Sequence, residues 1–232
     1  MSTVFLSENT NTILKKALRD QGYELIEIRR TATVYDSISS HADIYLCKIN
    51  DELVVAPVQL PMILEGLLKN GVKFTAGASE PGFRYPLNVK YNAAQIGSVL
   101  IHNRSCTDPV ILEKARRFGM DLIHVKQGYT KCSLVIVDDS SVITSDGGIA
   151  SALERNGFDV LVISPGHVAL PGFPYGFLGG ATGKIGNQIV FNGDLSAHPD
   201  FLRIKEFIER RGLRVTWFTE YPLEDIGSLI QL

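Results

Sequence analysis

Five times in the chain, a helix-like segment ends at a glycine and a short apolar strand follows at once. These helix-ending residues are Gly22, Gly71, Gly119, Gly157 and Gly212. Glycine tolerates the left-handed conformation that commonly ends a helix, and a unit that recurs along the chain is typical of repeat architectures. The pattern therefore predicts an α/β fold of five similar units, in a single domain over residues 1–232.

Each unit has the order strand, turn, strand, helix, glycine, strand. The clearest unit is predicted as strands over 132–137, 142–144 and 158–163, with a helix that Ser145 or Asp146 can cap. Similar units begin near His41, Asn88 and Gly179. The fifth unit is split, with its first strand at 225–230 and its second strand at 4–6. We therefore predict that the two terminal strands pair and close the five units into a ring.

Composition narrows the function classes. Of 232 residues, 45% are hydrophobic and 21% charged, and the net charge of −2 favours neither nucleic acid nor a membrane surface as partner. No apolar run reaches the length of a membrane-spanning helix, and the N-terminus has no basic start typical of a signal peptide. Three cysteines without CxxC spacing favour reduced thiols, so we expect a cytoplasmic protein. The sequence leaves open whether the protein forms a homodimer.

Two Gly/Pro-rich segments, 76–87 and 164–178, are predicted to be loops over the mouth of the ring. The glycine-rich segment 179–186 lacks the serine or threonine that follows the lysine of a phosphate-binding loop. Its glycines instead favour a close approach of the backbone to a ligand or to a neighbouring strand. Gly180 and Thr182 are accordingly predicted to help shape a substrate pocket.

Five ββαβ units closed by strands from both termini resemble the pentein superfamily, the five-bladed α/β-propellers. That superfamily includes arginine deiminases, dimethylarginine hydrolases, amidinotransferases and a ribosome anti-association factor. The segment His41-Ala42-Asp43 resembles the H-x-D strand of the guanidine-modifying members. The resemblance implies that His41 is a general acid/base and that Asp43 contacts a substrate guanidinium.

The segment Lys131-Cys132-Ser133 resembles the first strand that carries the nucleophilic cysteine of those enzymes. Cys132 follows His41 by two units, as the cysteine follows the histidine in dimethylarginine hydrolase-like enzymes. Those enzymes carry the cysteine near the C-terminus, so this chain resembles a circularly permuted member. The resemblance implies a thiol-dependent hydrolase, or an amidinotransferase, that acts on an arginine-like or other guanidino compound.

First strands aimed at one axis would bring their polar residues to a common site. Besides the catalytic candidates Cys132, His41 and Asp43, the predicted substrate-binding residues are Glu224, Asp225, Tyr91, Asn92, Lys131, Gly180 and Thr182. A guanidinium needs carboxylates that bind it bidentately, and either Glu224 or Asp225 could join Asp43 in this role. In the expected mechanism, Cys132 attacks the guanidinium carbon, and His41 protonates the departing amine and then activates water.

Plainer interpretations stand beside this one. A lone cysteine in an apolar strand is usually a small buried hydrophobe, and His41 with Asp43 could simply cap a turn. A rival function is a non-catalytic binding module like the anti-association factor, and a decayed enzyme is a third. Hydrolysis is preferred to amidino transfer because it needs no second substrate site. We expect no cofactor, and no residue spacing suggests a metal site.

Overall fold

The structure, a computed structural model, describes residues 2–232. Its α-helices are α1 Thr12–Asp20, α2 Ala42–Tyr45, α3 Leu60–Lys69, α4 Pro109–Arg117, α5 Gly147–Glu154 and α6 Phe201–Glu209. Its strands are β1 Thr3–Ser7, β2 Glu24–Ile28, β3 Leu46–Ile49, β4 Glu52–Val55, β5 Lys73–Ala76, β6 Ala94–Ile96, β7 Val99–His102, β8 Asp121–His124, β9 Val135–Ile136, β10 Ser141–Thr144, β11 Asp159–Val162, β12 Thr182–Ile185, β13 Gln188–Phe191, β14 Arg214–Thr216 and β15 Ile230–Gln231. Short 3₁₀ turns lie at Asp36–Ile38, Leu87–Val89, Gly179–Ala181 and Leu195–Ala197.

The strands form five three-stranded sheets, in the orders β15-β1-β2, β3-β4-β5, β6-β7-β8, β9-β10-β11 and β12-β13-β14. In each sheet the first strand is antiparallel to the middle one, and the third is parallel to it. A parallel neighbour requires a crossover, and one of the longer helices supplies it in every sheet. The predicted mixed α/β unit and its five copies are confirmed.

The N-terminal and C-terminal strands share one sheet. Val4 of β1 lies opposite Gln231 of β15, and Phe5 lies opposite Ile230. The Thr3 amide donates to the Leu232 carbonyl oxygen at 2.8 Å, and the Thr3 carbonyl oxygen accepts from the Leu232 amide at 2.9 Å, which extends the antiparallel ladder. The predicted pairing of the two chain ends is therefore confirmed.

Residues of all five sheets, or of the turns directly before their first strands, line one cavity of about 940 Å³, which we call the central cavity. Its wall includes Leu46, Ala93, Val135, Thr182 and Leu229. Because each comes from a different sheet, the five sheets face a common space. The outer faces of the sheets pack against the helices: Leu14 and Leu18 of α1, for example, are buried against Val4 and Leu6 of β1. Burying one such leucine contributes about 2 kcal/mol.

Helix ends follow the sequence signals. The Asp108 carboxylate accepts from the Val110 amide at the start of α4, and Asp146 accepts from two amides at the start of α5. Both are side-chain caps, which pair early helical N–H groups that have no partner within the helix. Gly22, which follows α1, has φ +86°, a conformation that other residues rarely adopt. No helix in residues 2–232 has the length and apolar character needed to cross a membrane.

The first strands begin later than predicted. His41 and Asp43 were predicted in a strand, but His41 precedes the short helix α2 and β3 begins only at Leu46. Cys132 was also predicted in a strand, but it lies in a turn where the Ser133 amide donates to the Tyr129 carbonyl at 3.1 Å. These segments curl because their polar residues turn inward and bond locally, which an alternating apolar pattern in the sequence does not reveal.

Of the strand predicted over 225–230, only the last residue lies in a strand. Only Ile230 and Gln231 join the sheet. Gly227 has φ +75° and Ser228 has φ +69°, so the backbone between Asp225 and β15 cannot be extended. This kink leaves the Asp225 and Ser228 side chains free to face the turns of the other sheets.

Candidate active site

Turns that precede the first strands bring six buried polar side chains together. We call this group the polar cluster: Cys132, Asp43, His41, Asp225, Asn92 and Ser228. They come from the turns before β9, β3, β6 and β15, four different sheets. Buried polar groups are costly unless paired, so their convergence at one place makes the polar cluster the candidate active site.

Cys132 and Asp43 form the centre of the polar cluster. The Cys132 Sγ donates to Asp43 Oδ2 at 3.0 Å, and the Ser228 hydroxyl donates to the same oxygen at 2.6 Å. The other carboxylate oxygen, Asp43 Oδ1, is fully buried and has no hydrogen-bond partner. A buried acceptor without a donor is rare in folded proteins and indicates a position that a ligand donor can fill.

Asn92 holds the cysteine from two sides. Its Nδ2 donates to Cys132 Sγ at 3.0 Å and to the Asp43 carbonyl at 3.2 Å, and its Oδ1 accepts from the Cys132 amide at 3.1 Å. An N–H aimed at the sulfur favours the thiolate form. Asn92, predicted from the sequence to bind substrate, thus lies in the cluster in contact with the nucleophile candidate.

His41 lies beside the second carboxylate of the cluster. Its Nδ1 is 3.7 Å from Asp225 Oδ1, and the backbone amides of Phe177 and Gly227 donate to Asp225 at 2.9 and 3.0 Å. Between Glu224 and Asp225, which the sequence left open, Asp225 is the residue that faces His41. Glu224 is half-buried. Burial and then the charge of Glu220 raise the pKa of Tyr221, and the charge of Glu224 adds to this, so the Glu224 carboxylate lies on the side of that phenol.

Burial sets the protonation states of the cluster. It lowers the pKa of His41 to about 4, although the charge of Asp43 opposes this. It raises the pKa of Asp225 to about 6 and also raises the pKa of Asp43. Burial and the charges of Asp43 and Asp225 raise the pKa of the Cys132 thiol well above its usual value. At pH 7 the site therefore holds a neutral imidazole and a thiol, and a cation placed between the carboxylates would favour the thiolate.

The remaining predicted residues lie around the cluster or away from it. Lys131 Nζ reaches the Ser228 hydroxyl at 3.1 Å, and burial lowers the pKa of this ammonium. Thr182 lines the central cavity, and its hydroxyl donates to the Gly179 carbonyl at 3.2 Å. The Tyr91 hydroxyl donates to the Ser79 carbonyl at 2.6 Å and lies 3.3 Å from Asp108. Tyr91 thus joins the loop 76–87 to the start of α4, outside the polar cluster.

Gly180 allows the backbone to pass directly against the cluster. Its amide donates to the Cys132 carbonyl at 2.9 Å, and its carbonyl accepts from the Ser228 amide at 2.7 Å. A Cβ at this position would lie 2.0 Å from Asp225 Oδ1. The close backbone approach predicted for the glycine-rich segment is thus present, and it fixes Asp225 relative to Cys132.

We expect Gly180→Ala to cost about 2 kcal/mol of unfolding free energy, because the added methyl overlaps a buried carboxylate that cannot move without losing its two amide donors. Urea denaturation measures the change. Gly147→Ala at the start of α5 is the matched control: its Cβ meets nothing within 4 Å, so it should be neutral or stabilising. Equal effects of the two substitutions would contradict the packing described for Gly180.

An aromatic layer covers the polar cluster. We call these residues the aromatic cover: Tyr35, Phe83, Tyr85, Tyr129, Phe173 and Phe177. Tyr35 and Tyr129 join hydroxyls at 2.8 Å, and Phe173 packs against Tyr35 with ring centroids 5.2 Å apart. Burial raises the pKa of both tyrosines, and the charge of Cys132 adds to this, so both rings lie next to the cluster. Phe83, Tyr85, Phe173 and Phe177 belong to the two predicted mouth loops.

We expect Phe173→Ala to increase the rate of Cys132 alkylation by iodoacetamide about three- to tenfold, because it removes a ring that holds Tyr35 in place and thus eases local opening. Phe173 is 44% exposed, so its loss should leave global stability nearly unchanged. Phe118, which is 43% exposed and lies outside the cover, gives the matched control Phe118→Ala. Peptide mass spectrometry reports labelling at Cys132 by residue. An unchanged rate would show that the cover does not limit access.

Sequence reasoning missed three residues next to the site. Ser228 bonds to both Asp43 and Lys131, but it is a single serine after a glycine and carries no recognisable motif. Tyr35 and Tyr129 lie 94 positions apart, and their contact depends on the packing of two separate connections. The signal that could have located the two tyrosines is an excess of aromatic residues in loops, which folded proteins rarely leave exposed without a function.

Within residues 2–232, no group of three or more His, Cys, Asp and Glu side chains is arranged to hold a metal ion.

Residues 5–230 match a family of unknown function, DUF6873. The chain belongs to this family. No curated protein matches its sequence.

Solved structures resemble this DUF6873 member over nearly its whole length. DDAH from Pseudomonas aeruginosa, in a complex with citrulline, has 11% identity and a TM-score of 0.58, with 94% of this chain and 91% of that one covered. C. jejuni agmatine deiminase has 8% identity and a TM-score of 0.56, covering 95% and 90%. SxtG, a Microseira wollei amidinotransferase, has 10% identity and a TM-score of 0.56, covering 94% and 88%. The DUF6873 chain therefore shares the fold of the pentein superfamily.

Proposed function

We propose that the protein is a guanidine-modifying enzyme in which Cys132 is the nucleophile and His41 the acid/base. The observation that carries this proposal is the contact of the Cys132 thiol with Asp43, whose second oxygen is buried and unpartnered. A binding module without catalysis has no need for a thiol, an imidazole and two carboxylates in one buried cluster. The three enzymes named above act on guanidino or related groups, which supports the same class.

A guanidinium fits the charges of the polar cluster. Asp43 and Asp225 are both buried, and the charge of Asp225 adds to burial in raising the pKa of Asp43. The negative charges of two neighbouring carboxylates repel each other, and a planar cation with several N–H donors would remove this repulsion by binding both. Asp43 Oδ1 offers the first acceptor and Asp225 the second, which would hold the guanidinium carbon near the Cys132 sulfur.

In the first half of the reaction, His41 takes the thiol proton and the Cys132 thiolate adds to the guanidinium carbon. The tetrahedral adduct collapses by breaking one C–N bond, and His41 gives its proton to the departing amine. A positively charged thiouronium on Cys132 remains. Asn92 Nδ2, already 3.0 Å from the sulfur, would stabilise the thiolate before attack.

In the second half, water adds to the thiouronium carbon and His41 accepts its proton. The C–S bond then breaks, His41 returns a proton to the thiolate sulfur, and a ureido product leaves. The leaving amine takes up the proton that the product releases. Hydrolysis is preferred to amidino transfer because it needs only water as the acceptor.

The proposed activity is tested by incubation with a panel of guanidino compounds and amidines, with ureido product and released amine or ammonia as readouts. We expect at least one substrate, and we expect alkylation of Cys132 to stop its turnover. A preparation in which Cys106 alone is alkylated serves as control and should remain active. No product from any guanidino compound, from protein whose Cys132 is reactive, would favour the binding module instead.

The pKa of Asp225 predicts an acidic limb in the pH profile. As pH falls through about 6, this carboxylate takes up a proton and no longer attracts the guanidinium, so kcat/KM should decline below that pH. Asp225→Asn should lower kcat/KM at neutral pH and abolish this limb. Glu224→Gln distinguishes the two neighbouring carboxylates, because the limb should persist in it. A limb that persists in Asp225→Asn would assign the titration to another group.

We also propose that the five sheets form the closed, five-bladed propeller expected from the sequence. The pairing of β1 with β15 and the lining of the central cavity by all five sheets support this arrangement. Closure would explain why four turns distant in sequence meet in one cluster. Hydrogen exchange should then find the Thr3 amide, which donates to the Leu232 carbonyl, protected only when β15 is present, and a C-terminal truncation before Ile230 tests this.

A further inference from the structure

The central cavity presents a layered wall. Alternate residues of a strand share a face, so residues two apart on a first strand can line the cavity together. From β3 these are Leu46 and Lys48, and from β12 they are Thr182 and Lys184. In each strand the first residue, Leu46 or Thr182, lies at the end nearer the polar cluster, and the lysine lies two residues further along. The wall therefore changes from small or apolar side chains to ammonium groups toward the hairpin turns.

Four lysines line this one cavity: Lys73 lies on the third strand β5, and the other three, Lys48, Lys131 and Lys184, lie on or directly before first strands. Within residues 2–232, none of the three has a carboxylate oxygen within 4.0 Å. Lys48 Nζ donates to the Gln231 carbonyl at 2.7 Å, and Lys131 Nζ lies 3.1 Å from the Ser228 hydroxyl. The neutral carbonyl oxygen solvates the Lys48 ammonium but does not balance its charge. Burial lowers the pKa of Lys131, and the charges of Asp43 and Asp225 oppose this, so these carboxylates partly balance the Lys131 ammonium.

Nearby acids only partly compensate for this charge. The carboxylates in the wall are Asp51, Glu52 and Asp139, and Glu52 is already paired with Lys114 at 2.5 Å. Burial lowers the pKa of Lys48, the charge of Asp51 opposes this, and the ammonium of Lys184 adds to the lowering. Lys48 and Lys184 thus repel each other across the cavity, and an anion between them would remove that repulsion.

We propose that the central cavity binds a small multiply charged oxyanion, of the phosphate class, between Lys48, Lys184 and Lys131. Lysine is well suited to phosphate because its ammonium is a compact charge with three donors. A volume of about 940 Å³ accommodates a phosphorylated metabolite rather than a single ion, and small-molecule sites are commonly of this size. The ligand would enter from the hairpin-turn side.

Lys131 connects this cavity to the polar cluster. It lines the cavity, and its ammonium contacts Ser228, whose hydroxyl donates to Asp43. An oxyanion held by Lys131 would therefore change the electrostatic environment of Cys132, through the contacts of Ser228 with Lys131 and Asp43. The binding itself needs neither Cys132 nor a guanidino substrate, so it stands whether or not the proposed reaction occurs.

Isothermal titration with pyrophosphate tests the site, with sodium chloride of equal ionic strength as the salt control. We expect saturable binding to the wild-type protein and to Cys132→Ala. The Lys48→Gln and Lys184→Gln variants should each weaken binding at least about tenfold, since each loses one charge-assisted contact. Lys69→Gln on α3, an exposed lysine outside the cavity, is the matched control and should bind as the wild type does.

Circular dichroism of both lysine variants verifies that they are folded. Absence of saturable binding to the wild-type protein, or wild-type affinity in both Lys48→Gln and Lys184→Gln, would overturn the proposal. Loss of binding in Cys132→Ala would also overturn it, because it would place the anion in the polar cluster. Failure of the substrate panel has no bearing on these results.

Discussion

Cys132→Ser should reduce turnover of a guanidino substrate by at least about ten-thousandfold while the protein remains folded. The serine hydroxyl can still donate to Asp43 and accept from Asn92, so the hydrogen bonds around position 132 are retained. Its much weaker acidity removes the nucleophile, because a hydroxyl without a strong adjacent base does not ionise near neutral pH. Steady-state rates and a thermal melt of the same preparation measure both effects.

The matched control is Cys106→Ser. Cys106 is a half-buried thiol whose sulfur contacts only the nearby Asn103 carbonyl, so its loss should leave turnover unchanged. Equal turnover of Cys132→Ser and wild type would remove Cys132 from the mechanism. It would leave the polar cluster as a structural feature of the fold.

Asp43→Asn should lower kcat/KM about a hundred- to a thousandfold and, at pH 8, raise the free energy of unfolding by about 1 kcal/mol. The activity falls because the amide offers a guanidinium no charge. The stability rises because the ionised carboxylate is fully buried, with one oxygen unpartnered, and the neutral amide has nearly the same shape. A gain in stability on removal of a catalytic group is expected where a site holds charge for function.

The sign of the pH dependence follows from the raised pKa. In the unfolded chain Asp43 ionises near its ordinary pKa, and in the folded protein burial raises that pKa. The folded state is therefore penalised once pH exceeds the ordinary value, and the penalty is fully present above the folded pKa. The stability difference between Asp43→Asn and the wild type should thus be larger at pH 8 than at pH 4.

Urea denaturation at the two pH values measures this difference. Asp36→Asn, which changes a carboxyl group in the turn Asp36–Ile38 outside the polar cluster, is the control and should show little pH-dependent difference. A variant Asp43→Asn that is less stable than the wild type at pH 8 would show that the ionised carboxylate contributes favourable bonds that outweigh its burial.

The fold was largely predictable because its signals are local. Glycines such as Gly119 and Gly157 end helices with positive φ, and caps such as Asp108 and Asp146 begin them. These signals depend on a few adjacent residues, so one sequence suffices to read them. The split fifth unit also followed, since only pairing of the two chain ends completes it.

The geometry of the site was less accessible to sequence analysis. Cys132, His41 and Asp43 were predicted in strands, but Cys132 lies in a turn, His41 precedes the short helix α2, and Asp43 lies in that helix. Whether a polar residue curls inward depends on partners such as Ser228 and Asn92, which are far away in the chain. The same dependence explains why Tyr91, predicted in the pocket, instead bonds to the neighbouring loop and Asp108.

Trapping of the covalent intermediate tests the central claim most directly. The protein is incubated with a turned-over guanidino substrate, quenched in acid, digested and analysed by peptide mass spectrometry. We predict an adduct on the peptide that contains Cys132, heavier by the mass of the substrate minus the departing amine, and none on the peptides of Cys47 and Cys106. Product formation with no adduct on Cys132, or with the adduct on another cysteine, would contradict the account.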